Sequence, residues 1–151
     1  MITLPTDELQ YTRMKEYEMS VLNRIPKEEI IVASRILWAN RTVADQIAQD
    51  SVQIINQTYK RKFSFYNGRK IRWVMSGLFY LLGYRYGLVK KQCELADKLG
   101  TSDTTVRDSY RLWLKTFPDL FVDVIGKMAT DQNLKYYVLV DFRKEMAVKA
   151  T

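Results

Sequence analysis

The sequence predicts an all-α protein, and three observations carry that reading. Apolar residues return every three or four positions over long segments, only three prolines and six glycines punctuate the chain, and 47% of its residues are hydrophobic. At 151 residues it suits one domain, burying roughly two-thirds of its unfolded surface and folding without disulfide or metal staples.

The elements follow in order. A polar, weakly patterned helix is expected from about Asp7 to Arg24. Pro26 then opens a second helix, about Lys27 to Asn40, with Ile30, Ala33, Leu37 and Trp38 on one face. A third, about Val43 to Lys62, repeats the spacing with Ala44, Ile47, Ala48, Ser51, Ile55 and Tyr59. Phe63 to Gly68 reads as a loop ending in the turn pair Asn67-Gly68. The most hydrophobic helix runs from about Arg69 to Tyr86, and the width of its apolar stripe suits the centre of a bundle. Ser76 and Gly77 inside it would let a neighbouring backbone approach, a compensation for the ~1 kcal/mol that glycine costs in a helix. Past Leu114 the pattern weakens; Lys135–Phe142 is strand-prone by composition and would suit a dimer edge or a wing beside a ligand.

Composition excludes several classes. A single cysteine, Cys93, allows no internal disulfide, and the absence of histidine removes the usual Cys/His zinc sites, so neither a metal nor another cofactor is expected. Met1–Glu8 lacks the basic start and apolar run of a signal peptide. The longest apolar patch, Trp73 to Leu82, is far short of the ~18 residues of a membrane span, so an intracellular setting off the membrane is expected. Without histidine, acid–base work would fall to carboxylates, lysine or tyrosine at solvated positions, and no enzyme is expected. Cys93 is read as a half-buried core residue.

The net charge of +7 is unevenly spread. Met1–Tyr59 carries six basic and eight acidic residues, Lys60–Lys115 thirteen and four, and Thr116–Thr151 five of each. A positive field confined to one stretch fits an anionic partner.

Within that stretch, Gln92 to Arg111 has the layout of a helix-turn-helix, placed at 90–114. Ala96 supplies a small residue where two helices cross, Gly100 a turn residue able to take positive φ, and Ser102 an N-cap for the second helix. Val106, Tyr110, Trp113 and Phe117 give that helix a buried side. Its front would present Thr104, Thr105, Arg107 and Arg111 to base edges of double-stranded DNA. Arginine donates twice to guanine, and threonine offers a hydroxyl or methyl contact. Lys90, Lys91 and Lys98, with Arg69, Lys70 and Arg72, would meet phosphates.

These residues resemble the second cyclin-like repeat of general transcription initiation factor IIB, transcription factor B in archaea. Gly68-Arg69 before a small-residue-rich apolar helix with Tyr80 late in it is similar to that repeat's Gly-Arg start. Lys91-Gln92-Cys93-Glu94-Leu95-Ala96 resembles its Thr-Gln-(Arg/Lys)-Glu-Ile-Ala segment. Thr105-Val106-Arg107-Asp108-Ser109-Tyr110-Arg111-Leu112 resembles its Thr-Ile-Arg-x-x-Tyr-(Arg/Lys)-x-Leu, followed by Pro118-Asp119-Leu120-Phe121. The resemblance covers about Glu28 to Phe117. It implies a cyclin-like five-helix repeat ending in the helix-turn-helix, within a domain at 27–121 flanked by extensions at 1–26 and 122–151. It also implies promoter reading at Thr104 and Arg107. Ile71 stands where the family usually has proline, and Met75 and Leu78 interrupt its alanine run. With neither zinc ribbon nor first repeat, the expectation is a lone module acting as an archaeal or viral regulator, alone or as a homodimer.

A second expectation stands beside this one: a cyclin-fold adaptor binding TATA-binding protein or RNA polymerase without reading DNA. Phe63, Phe65 and Tyr66 look exposed among Lys60, Arg61, Lys62, Arg69 and Lys70, a mix that could stack single-stranded nucleic acid. Loop aromatics more often cap a core.

Overall fold

The computed structural model describes residues 26–130. Among them are six α-helices and no β-strand: α1 Lys27–Leu37, α2 Arg41–Arg61, α3 Ile71–Arg85, α4 Gln92–Leu99, α5 Asp103–Thr116 and α6 Val122–Met128. Short 3-10 turns occupy Phe63–Tyr66 and Pro118–Phe121. The expected helix at Asp7–Arg24 and the strand-prone Lys135–Phe142 lie outside the described residues. The chain divides into two compact units, Met1–Met75 and Ser76–Thr151, with the boundary inside α3.

In the first unit the predicted apolar faces are the buried ones. Ile30, Ala33, Leu37 and Trp38 are withdrawn from solvent, as are Ala44, Ile47, Ala48 and Ile55 of α2. Glu28 and Glu29 in the first turn of α1 and Arg35 in its last complement the helix dipole. Asn40 starts α2 two residues earlier than the apolar pattern suggested, because its side chain accepts from the Val43 N–H at 3.2 Å. The buried hydroxyls of Ser51 and Thr58 donate to Ile47 and Ile54 carbonyls, each at 2.7 Å, so burying them leaves no donor unmet. Arg35 and Asp45 pair at 2.9 Å across the helix ends.

The segment after α2 departs from expectation. Phe63–Tyr66 is a 3-10 turn rather than an irregular loop, and it sorts its aromatics. Phe65 and Tyr66 are buried while Phe63 remains 60% exposed. The Tyr66 hydroxyl bonds the Thr58 hydroxyl, and burial pushes its titration well above the usual phenol range, with the Thr58 bond pulling the other way. The Phe65 ring meets Tyr66 and Trp73 edge-on, at 5.1 and 5.9 Å between centroids. These two loop aromatics therefore cap a core, and only Phe63 keeps the exposure the sequence suggested for all three.

The stripe of α3 becomes a full circumference, for every residue from Val74 to Tyr84 is buried, as a helix apolar all round requires. Gly77 is the close-approach point. A Cβ there would overlap Ser109 Oγ and the backbone of Tyr110, and the Gly77 N–H donates to Ser109 Oγ at 3.1 Å. α3 and α5 thus cross backbone to backbone. The end of α3 is tied to α6, since Arg85 donates to both carboxylate oxygens of Asp123 at 2.9 and 3.0 Å and to the Leu120 carbonyl at 2.6 Å.

Candidate nucleic-acid interface

Local chemistry builds the α4–turn–α5 unit. α4 stops because Gly100 adopts φ 68°, ψ 41°, the left-handed region that other side chains resist. The Thr101 N–H then reaches back to the Ala96 carbonyl at 2.8 Å, satisfying a group that the helix end would otherwise orphan. Ser102 opens α5, its Oγ accepting from the Thr105 N–H at 3.1 Å. The Ser102 and Thr105 hydroxyls also share a 2.9 Å hydrogen bond.

Burial orients α5. Val106, Ser109, Tyr110, Trp113 and Leu114 face inward, while Ser102, Asp103, Thr104 and Asp108 are exposed and Thr105, Arg107 and Arg111 are half-buried. The helix's leading end is therefore presented to solvent and its trailing side anchored. Among the proposed base readers the chemistry differs. Thr104 stands at the exposed tip, whereas Thr105 spends its hydroxyl on the cap. Arg107 lies along the flank with its Nε buried and met by no hydrogen-bond acceptor among the described residues.

Between these arginines lies Tyr110, whose ring sits 4.5 Å from that of Tyr80. Burial raises its phenol above the ordinary range, with Tyr80 adding to the effect; Arg111, Arg107 and a hydrogen bond from the Gln92 side chain pull it back. Gln92, the first residue of α4, thus links the two helices, a role that sequence reasoning missed. The only signal was a long amide side chain at a helix start, and its partner lies eighteen positions away.

The proposed phosphate contacts separate into two groups. Lys91, just before α4, and Lys98, within it, are exposed, and Lys90 sits 3.7 Å from Glu94, partly neutralised by it. Arg69, Lys70 and Arg72 belong to the first unit. There Arg69 turns inward: it lies 4.6 Å above the Trp73 ring and 5.7 Å above Phe65, and donates to the Phe65 carbonyl at 2.9 Å. Lys70 and Arg72 are exposed. Cys93 is exposed as well, not half-buried. The inward face of α4 is set by Gln92, Leu95, Ala96 and Leu99, and Cys93 falls about a quarter-turn or more away from it.

Charge is less concentrated on this unit than the sequence tally suggested. Lys90–Arg111 holds five basic and four acidic residues, whereas Lys60–Arg72 holds six basic and none acidic. Among the described residues no group of three or more His, Cys, Asp or Glu side chains gathers to hold a metal ion. What α4 and α5 offer is an exposed, capped helix tip of Ser102, Asp103 and Thr104, with Asp108 behind it and the half-buried Arg107 and Arg111 along the flank. Compared with family models, curated proteins and solved structures, the chain matches none.

Proposed function

We propose that this protein is a sequence-specific duplex-DNA-binding regulator of transcription, with α4–turn–α5 acting as a helix-turn-helix and α5 as its recognition helix. In this reading it resembles one cyclin-like repeat of transcription factor B. The observation that carries the proposal is the exposed, Ser102-capped leading end of α5, held by a buried trailing side. A helix presented in this way enters a major groove tip first. Thr104 then reads a base edge, Arg107 and Arg111 donate further along, and Thr105 braces the tip while offering its methyl. Lys91 and Lys98 take phosphates on either side.

Selection of binding sites from random duplexes tests this. The expected outcome is a short enriched sequence whose affinity falls steeply with salt. Recovery of no enriched sequence rejects the reading.

A second reading draws on α1, where Val32 and Ile36 are 58% and 57% exposed. A groove of about 560 Å³ opens between α1 and α2, lined by Ile31, Ala48 and Val52 together with Lys27, Arg35 and Asp45. An adaptor for TATA-binding protein or RNA polymerase would use such a face. It predicts a complex that survives moderate salt and is lost on Val32→Asp, with site selection blank.

A further inference from the structure

We propose that the first unit carries a separate platform for single-stranded nucleic acid, built from Lys60 to Arg72, with Phe63 as the stacking residue. This inference is argued apart from the helix-turn-helix reading: Phe63 and Lys60–Lys62 have no part there, while Arg69, Lys70 and Arg72 are shared with its expected phosphate contacts.

Charge is the first of its grounds. No acidic residue occurs between Asp50 and Glu94, and the six cations of the platform are Lys60, Arg61, Lys62, Arg69, Lys70 and Arg72. All except Arg69 are exposed. Two of them, Lys60 and Arg61, close the last turn of α2, where cations complement the helix dipole.

The second ground is the sorting of the aromatics. Within four residues the chain buries Phe65 and Tyr66 and leaves Phe63 60% exposed. An apolar ring held in water among cations suits a partner with both a π face and negative charge.

Rigidity is the third. Tyr66 is bonded to Thr58, and Arg69 is clamped over Trp73 and onto the Phe65 carbonyl. The Arg69 N–H also closes the turn on the Tyr66 carbonyl at 3.1 Å. These contacts fix the backbone turn that carries Phe63.

Single strands fit better than a duplex. A lone ring on a short turn cannot track a groove, and paired bases keep their faces stacked on each other; an unpaired base offers its face freely. DNA and RNA share this chemistry.

Fluorescence anisotropy with the full chain tests the platform, using labelled oligo(dT), labelled oligo(U) and a labelled duplex over a salt series. Phe63→Ala should weaken single-strand binding roughly 5- to 100-fold and leave duplex affinity unchanged, while Phe63→Trp restores it. Because Phe63 is exposed, thermal melting should be unaltered in both. Lys62→Ala and Lys70→Ala should each lower the single-strand salt slope by about 0.7. Comparing oligo(dT) with oligo(U) separates DNA from RNA as the source. The proposal is overturned if the parent binds neither oligonucleotide, if Phe63→Ala binds single strands as the parent does, or if polyglutamate competes as well as the oligonucleotides. Loss of duplex selection with single-strand binding intact would reject the helix-turn-helix reading alone.

Discussion

The turn region Lys60–Arg72 and the helix pair Gln92–Thr116 divide between them two properties that nucleic-acid binders usually combine. Of the net +9 between Lys60 and Lys115, +6 falls between Lys60 and Arg72, yet that region offers no helix tip to a groove. The helix pair has the tip, the cap and the anchored back, but its four basic residues are matched by four acidic ones. Attraction scales with charge and is indifferent to sequence, whereas discrimination needs a few side chains held in register. A tally of cations along the chain locates the first property and says little about the second.

The sharpest way to break the contrast is to disturb the anchoring of α5. Gly77→Ala forces a methyl into Ser109 and the Tyr110 backbone, which should cost about 2–3 kcal/mol, read as a lower midpoint in urea unfolding. Ser109→Ala, which removes only the hydroxyl that accepts from the Gly77 N–H, should cost about 1 kcal/mol. If the two cost the same, the crossing is not steric.

Next in size is Arg107→Ala. It should weaken the selected duplex by about 1–3 kcal/mol and relax preference at one base position, while leaving oligo(dT) binding untouched. Equal loss on every sequence would make Arg107 a phosphate contact and shift the boundary between the two regions.

Ser102 separates fold from function. Ser102→Ala loses the cap and should destabilise by about 1 kcal/mol. Ser102→Asp keeps a capping oxygen, so stability is retained, but it places a negative charge at the tip proposed to enter the groove and should lower duplex affinity. Urea unfolding and anisotropy on the same samples check both.

The smallest effect concerns the tie between α3 and α6. The Arg85 hydrogen bond holds the Asp123 carboxyl below its ordinary range, against the opposing effect of burial. A carboxylate depressed in the folded state stabilises above its unfolded value, and that contribution fades as pH falls through the folded one. The pair is partly solvated, so Asp123→Asn should cost at most about 1 kcal/mol at pH 7. The difference from the parent should begin to shrink near pH 4 and vanish only below the depressed folded value, as unfolding measured at pH 7 and through the acid range will show.

Much of this was legible in the sequence. Helices α1 to α3 begin and end within three residues of where the periodicity put them, and Gly100, Ser102 and the small residue at Gly77 do what their chemistry demands, because caps and turns are decided within a few residues. The sorting of Phe63 from Phe65 and Tyr66 was not legible, since it depends on Thr58 and Trp73 closing around the turn. The inward lie of Arg69 and the Gln92–Tyr110 link were hidden for the same reason: each is fixed by a partner on another element. For Cys93, hydrophobic character suggested burial, while its position on α4 decided exposure.

The account rests most heavily on Thr104 meeting a base. Replacing Thr104 with the photocrosslinking residue p-benzoylphenylalanine and irradiating the complex with the selected duplex tests that contact directly. A crosslink mapped to one base position within the enriched sequence is the predicted result. Crosslinks spread over every position, or none from Thr104 while the duplex is fully bound, would contradict it.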